Sequence, residues 1–171
     1  MGEVGIDDLE DLHTLNLDRA DRNELIETQT ECTFVFGNSS GWPSGVVMSF
    51  LHHEGTFWLT AVEDRAHARA VLDDPRVTLV ISNAGTGLPG RRMLAVRGVA
   101  TVHRDEAVKQ WFFERFCPRF APADSTAFKR LLDSPKRVVF QVRPVAIPAS
   151  HDSRKIGGDG RGGGQTVRTD R

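Results

Sequence analysis

Six short runs of β-branched and aromatic residues, each bounded by turn residues, constrain this chain more than any other feature. They occupy residues 32–36, 46–51, 56–60, 77–81, 93–102 and 137–142. Runs of this length and composition are typical of β-strands. They do not alternate regularly with helical segments, as a doubly wound parallel sheet requires. We therefore predict a mainly β (α+β) fold, a six-stranded antiparallel barrel with peripheral helices.

Four segments between or before these runs have helical character, at residues 18–28, 64–73, 105–116 and 125–133. Asp18 and Asp64 are suited to cap the first two helices. The second and third β-runs flank Glu54-Gly55 and predict an antiparallel hairpin. We expect a helical extension at residues 1–30, a barrel domain at 31–150 and a glycine-rich tail at 151–171. Residues 157–164 hold six glycines and nothing apolar to bury, so the tail is expected to be flexible.

Composition excludes several classes of function. The 22 basic and 23 acidic residues nearly cancel, so no overall field attracts nucleic acid or an anionic membrane. No stretch approaches the ~18 consecutive apolar residues of a membrane span. Cys32 and Cys117 lie far apart, form no metal-binding spacing and are expected to be buried thiols in a reducing cytoplasm. The histidines form no zinc-binding pattern, so no metal site is predicted.

Two glycine motifs match known patterns without the context that gives those patterns meaning. Residues 37–41 fit G-x-S-x-G, but a strand follows them instead of a helix, so we predict a hairpin turn. Residues 85–90 and 158–163 fit G-x-G-x-x-G, yet neither opens a helix after a strand. Neither is therefore a dinucleotide-binding site.

The turn from the third β-run into the second helix carries the functional hypothesis. The chain leaves the strand at Thr60 and enters a helix that carries Arg65, His67 and Arg69. Free amide groups of a first helical turn, together with guanidinium groups, form an anion site. The alternative is a solvated helix face whose arginines balance the acidic residues at positions 63, 64, 73 and 74.

From Cys32 to about Lys155 the chain resembles the pyridoxamine 5′-phosphate oxidase-like flavin-binding split-barrel family, especially its small actinobacterial members. Four segments carry the resemblance: G-W-P at 41–43, G-T-F-W-L-T-A at 55–61, H-A-R-A-V-L-D-D-P-R-V at 67–77 and V-R-G-V-A-T-V at 96–102. Residues 152–155, D-S-R-K, are similar to the family's C-terminal W-D-x-R-K without its tryptophan.

The resemblance implies a six-stranded split barrel that dimerises and holds FMN in grooves between the two subunits. It places the flavin ring against Val47, Met48, Ser49, Thr60 and Ala61, and the phosphate on Arg65 and Arg69 near His67. Further residues are implied near the ring or from the partner subunit: Arg92, Met93, Trp111 and Lys155. The implied activity is a flavin-dependent oxidoreductase acting on an unidentified small molecule, with no assignable catalytic residue.

Departures from the family keep alternatives open. His67 stands where many relatives have a phosphate-binding lysine, and Ser44 and Ser49 replace the basic residues around the second strand in true pyridoxamine phosphate oxidases. Oxidation of pyridoxamine phosphate itself is therefore not expected. The deazaflavin F420 is the alternative cofactor, and a non-catalytic flavin or haem carrier is the alternative class.

Overall fold

The computed structural model describes residues 15–156. Its helices are α1 (Arg19–Thr28), α2 (Ala66–Asp73), α3 (Glu106–Phe120) and α4 (Ser125–Leu132). Its strands are β1 (Glu31–Gly37), β2 (Pro43–Ser49), β3 (Leu51–His53), β4 (Thr56–Val62), β5 (Arg76–Ser82), β6 (Arg92–His103) and β7 (Arg137–Asp152). A single 3₁₀ turn follows at Ser153–Lys155. Among these residues no helix is long and apolar enough to cross a bilayer.

All strand pairs are antiparallel, and the seven strands form one sheet in the order β2-β1-β5-β6-β7-β4-β3. The mainly β class is confirmed, but the predicted six strands are wrong by one. The second predicted strand divides at Phe50, which is fully buried and whose amide bonds the carbonyl of Thr30. β2 therefore pairs with β1, and only the short β3 forms the hairpin with β4.

The division at Phe50 explains why the sheet curls into a half-barrel. β2 and β3 lie at opposite ends of the strand order, yet one residue joins them in sequence. The two ends of the sheet must therefore approach each other. The curled sheet encloses a core that includes Phe34, Phe57, Leu59 and Phe140.

Local turn chemistry agrees with two sequence predictions. Residues 37–41 form the β1–β2 turn, where Asn38 Oδ1 accepts bonds from the Ser40 and Trp42 amides. The serine-hydrolase pattern in this segment is thus a hairpin turn. Glu54 and Gly55 both adopt positive φ in the β3–β4 turn, which is the geometry of a two-residue hairpin loop.

β7 is the element that the sequence describes least well. We predicted a strand at 137–142, but β7 continues to Asp152 alongside the whole of β6. The pairing register shifts next to Gly98, opposite Pro144. A β-carbon at Gly98 would lie 2.5 Å from Val142 Cγ1, so the close strand approach requires glycine there.

The division that we expected at residue 151 does not coincide with the end of an element. Asp152 and Ser153 are 1% and 0% exposed, and the Asp152 amide bonds the carbonyl of Leu15. Residues 151–156 are thus packed against the barrel. The rest of the predicted flexible tail, and the first half of the predicted N-terminal extension, lie outside the described residues.

α3 and α4 cover the outer side of the sheet with a second apolar cluster. Its buried members include Phe112, Phe113 and Phe116, and Trp58 and Trp111 pack against them. Cys117 belongs to this cluster and Cys32 to the barrel core, so both cysteines are free and buried as predicted. Burial raises the pKa of the Cys32 thiol to about 12.

Candidate functional site

A cleft opens where β3 ends and leaves part of β4 without a neighbour. β3 pairs with β4 only at residues 56–58, so one edge of β4 is free along residues 59–62. β2 is an edge strand, and it contacts β4 across this gap. Two strand edges with backbone groups outside the sheet ladder therefore face a shared space.

The cleft has a volume of about 350 Å³. Volumes of this size lie near the lower end of the range for small-molecule sites. Its lining comprises Val47, Met48, Ser49, Thr60, Ala61, Val62, Arg65, His67, Phe116, Phe128, Leu132 and Arg137. Seven of these twelve are among the residues that the sequence predicted, drawn from β2, β4 and the start of α2.

The start of α2 faces the cleft without a side-chain cap. We predicted Asp64 as the N-cap, but Arg65 occupies that position and its side chain makes no capping bond. Asp64 instead pairs with Lys136 at 2.6 Å. The lysine explains the difference, because an ion pair withdraws the carboxylate from the helix amides and holds its pKa below the usual value. The positive end of α2 is thus left for another anion.

Two guanidinium groups, those of Arg65 and Arg137, line the cleft beside this helix end. Burial and the charge of Arg65 lower the pKa of Arg137, so the two cations influence each other directly. Within residues 15–156 neither arginine has a carboxylate at salt-bridge distance. Arg137 Nε donates to the carbonyl of Leu132 at 2.9 Å, which fixes the side chain without neutralising it. Like charges held together in this way favour binding of an anion.

The nearby acidic residues do not neutralise Arg65. Glu63 pairs with Arg104, Asp64 with Lys136, and Asp74 with Arg76. The alternative drawn from the sequence, a helix face that balances its own charges, therefore does not describe the two cations of the cleft. Three of the four carboxylates that it requires are already engaged elsewhere.

His67 contributes to the wall of the cleft but is a poor cation. Its ring lies 6.1–6.3 Å from the rings of Phe34, Phe36 and Phe140, and its Nε2 is buried without a hydrogen-bond partner. Burial and the charge of Arg65 lower its pKa. The imidazole is therefore neutral at pH 7 and does not act as a third positive group.

The remaining predicted residues lie outside the cleft of one subunit. Arg69 donates to the carbonyl of Asp64 at 2.6 Å, and Arg92 is buried between Glu24 and Asp21. Trp111 packs on Trp58 with ring centroids 4.6 Å apart. Met93 pairs with His151 in the β6–β7 ladder, and Lys155 donates to the carbonyl of Asn16.

Sequence reasoning missed Arg137 and the apolar wall formed by Phe116, Phe128 and Leu132. Arg137 lies on β7 and pairs with Val62 of β4, the strand that carries the predicted residues Thr60 and Ala61. It therefore reaches the site from the neighbouring strand. The available signal was a basic residue at the first position of the last β-run. Its relevance depends on knowing that the last strand lies beside β4.

Comparisons with known proteins agree with this architecture. The family model described as pyridoxamine 5′-phosphate oxidase matches residues 22–150. A search of curated proteins finds no match. A conserved hypothetical protein of Mycobacterium tuberculosis superposes with a TM-score of 0.72 at 18% identity, over 84% of this chain and 90% of that one.

Two further structures have the same fold and belong to proteins whose names give different functions. An F420 reductase superposes with a TM-score of 0.56 at 21% identity, over 73% of this chain and 94% of that one. The haem storage protein HutZ of Vibrio cholerae gives 0.60 at 14% identity, over 77% and 94%. At sequence identities of 14–21%, the structural similarity to these three proteins establishes a common fold.

The curled antiparallel sheet, with a cleft lined by two arginines at its edge, defines a half-barrel protein with a candidate site for a small molecule. Because the family model covers most of the chain, the protein belongs to the pyridoxamine 5′-phosphate oxidase family, as the sequence motifs predicted.

Proposed function

We propose that this protein binds FMN in the cleft between β2 and β4 and is a flavin-dependent oxidoreductase acting on a small molecule. The observation that supports this most is the pair Arg65 and Arg137 beside the uncapped start of α2. Two cations without a carboxylate partner among the described residues, Arg65 exposed and Arg137 partly buried, suit a dianionic phosphate. The apolar walls of the same cleft suit a planar ring system.

The chain's own residues would hold and orient the flavin. The edges of β2 at Val47, Met48 and Ser49, and of β4 at Thr60 and Ala61, offer backbone donors and acceptors for the polar rim of the ring. The Thr60 hydroxyl is not among them, since it donates to the carbonyl of Val138 at 2.8 Å. Phe116, Phe128 and Leu132 exclude water from one side. When bound, the isoalloxazine supplies hydride or electron transfer.

FMN is favoured over F420 by the form of the anion site. A terminal phosphate monoester presents two negative charges at one point, which matches two converging guanidinium groups. F420 is the second candidate, because the same edges and apolar walls suit its deazaflavin ring. A non-catalytic flavin or haem carrier is the remaining alternative, and turnover measurements distinguish it from an enzyme.

A homodimer and a cytoplasmic location are parts of the proposal. Trp42 and Val47 on and beside β2 are 72% and 69% exposed, and Val145 on β7 is 65% exposed. Exposed apolar groups of this size favour association of two copies. Trp111 and the segment around Lys155 would then lie near the partner's cleft. Two buried free thiols suit a reducing compartment.

The test compares FMN with riboflavin, which has the same ring and no phosphate. We expect the full-length protein to bind FMN at least tenfold more tightly than riboflavin. Each charge-assisted hydrogen bond contributes about 1.5–3 kcal/mol, so the double variant Arg65→Gln/Arg137→Gln should lose at least about a hundredfold in FMN affinity. Its riboflavin affinity should change little. Fluorescence titration measures the four dissociation constants, those of the native protein and the double variant for FMN and for riboflavin. A parallel titration with F420 shows which of the two cofactors binds more tightly.

Arg130→Gln is the matched control, because Arg130 is an exposed arginine on α4 that does not line the cleft. Equal affinities for FMN and riboflavin, or an unaltered FMN affinity in the double variant, would overturn the proposed site. Bound flavin that neither NAD(P)H nor any acceptor reduces or oxidises would identify a carrier.

A further inference from the structure

A second groove lies between α1 and the sheet and shares no residue with the cleft. One face of α1 forms its rim, through Arg19, Arg22, Asn23 and Ile26. These positions follow the i, i+3, i+4, i+7 spacing of a single helix face. We call this feature the α1 groove. Its volume is about 300 Å³.

The floor of the α1 groove is apolar. It consists of side chains from four strands, namely His52, Phe57, Leu94, Val96, Pro144 and Ile147. The His52 ring lies against that of Phe57, with centroids 4.8 Å apart. Burial lowers the pKa of His52, so the floor is uncharged at neutral pH. The charge of the groove comes from its rim.

The rim is positive because α1 separates its charges. Asp21 and Glu24 lie on the opposite side of the helix, where Arg92 and Arg154 pair with them. The capping carboxylate of Asp18 accepts the Asp21 amide at 2.8 Å. Arg19 and Arg22 are thus left facing the groove, and within residues 15–156 neither has a carboxylate partner.

Few contacts restrain the two rim cations. The bond from Arg22 Nε to the carbonyl of Asp18, at 3.1 Å, leaves its terminal nitrogens available. The negative charge of Glu27 acts on His52 and opposes the lowering of its pKa. This single negative charge is smaller than the two positive charges of Arg19 and Arg22. The cations also stand in the first turn of α1, where the helix dipole disfavours positive charge.

From this combination we propose that the α1 groove is a second binding site, for an amphiphilic carboxylate with a body of one or two aromatic rings or a short alkyl chain. The guanidinium pair recognises the carboxylate by charge-assisted hydrogen bonds, and Asn23 adds an amide donor. The apolar floor receives the body. The small volume excludes larger ligands such as dinucleotides.

The test uses 1-naphthoate as the probe and its neutral analogue 1-naphthamide as the matched ligand. Both are titrated into the full-length protein, by calorimetry and by amide chemical shifts of α1 and β7. We expect naphthoate to bind at least tenfold more tightly than naphthamide. Arg19→Gln/Arg22→Gln should remove that difference, whereas Arg130→Gln should retain it. Ile147→Trp, which fills the groove without touching its charges, should weaken both ligands.

Any of four other outcomes overturns the proposal that an amphiphilic carboxylate is the ligand of the α1 groove. Equal binding of the two probes would show an apolar surface without anion recognition, and shifts confined to β2 and β4 would show binding in the cleft. The naphthoate titration is repeated on a protein that lacks residues 2–14. A tenfold gain in naphthoate affinity on that deletion would identify the acidic N-terminal segment as the natural occupant. Dissociation of a dimer by naphthoate would identify a second copy.

Discussion

At the scale of single residues, His67 shows how a position can be read in two ways. In the sequence it stands beside two arginines, which suggests a cationic anion site. In the structure its ring points among three phenylalanines, and its buried Nε2 lacks a partner. An imidazole in apolar surroundings prefers its neutral form because burial penalises the charged one.

His67 should make the protein acid-sensitive. Its folded-state pKa lies below the ordinary value of 6.5. Between these two pKa values the unfolded chain therefore binds more protons than the folded one. Its contribution to stability is complete above about pH 6.5 and is lost as pH falls through the lowered pKa. We expect the thermal midpoint of His67→Phe to fall less between pH 7.5 and pH 5.5 than that of the native chain.

Burial lowers the pKa of His52 as well, so this residue should contribute to the pH dependence that remains. His67→Leu serves as a second apolar variant in case the larger ring does not fit. His151→Gln controls for the loss of a histidine elsewhere. An unaltered pH dependence in both apolar variants would show that His67 is not the responsible group.

At the scale of elements, α1 is fastened to the barrel by buried charge. Arg92 is 2% exposed, pairs with Glu24 and lies 3.7 Å from Asp21. Arg154 bridges Asp21 and Asp152 at 2.6 and 2.7 Å. The network links α1, β6 and the end of β7, three elements that are distant in sequence.

Loss of one carboxylate from this network should be costly. Glu24→Gln leaves the buried Arg92 guanidinium with only the more distant Asp21. Because the Glu24 side chain is itself 52% exposed, we expect a cost between that of a surface pair and that of a buried one, about 1–2 kcal/mol. We expect a reduction of that order in the free energy of unfolding, measured with urea. Glu114→Gln, on the exposed face of α3, should change it by less than about 0.5 kcal/mol. Equal effects of the two substitutions would show that the Arg92–Glu24 pair does not hold α1 to the barrel.

The sequence predicted elements well where the signal is local. The β1–β2 turn, the Glu54-Gly55 turn and all four helices follow from residues close to one another in the chain. The break at Phe50 and the full length of β7 do not, because each depends on a partner strand. Arg137 was missed for the same reason, since only the β4–β7 register brings it to the cleft.

At the scale of the whole molecule, the two ends of the described chain support each other. Leu15 and Leu17 are buried, and the Leu17 amide bonds the Ser150 hydroxyl. Asp152 bonds back to the carbonyl of Leu15. Residues 151–156 therefore belong to the folded unit, although their composition suggested a tail.

Two truncations test where the folded unit ends. Removal of residues 157–171 should leave the thermal midpoint within about 2 °C of the native value, because Val167 is the one apolar side chain that they offer for burial. Removal of residues 151–171 also deletes the buried Asp152 and Ser153 and their bonds. If it costs about 3 kcal/mol, the midpoint should fall by about 6–12 °C. Equal midpoints for the two truncated proteins would restore the boundary at residue 151.

β2 has the longest unbroken free edge of the sheet, seven residues, because the opposite edge is divided between the three residues of β3 and residues 59–62 of β4. Long unpaired edges are where proteins add foreign strands and polymerise. The edge of β2 is also the wall of the cleft, so any molecule that bonds to Val47, Met48 and Ser49 shields it. We therefore expect a ligand in the cleft to protect the native chain against aggregation, and the ligand-free protein to aggregate more readily.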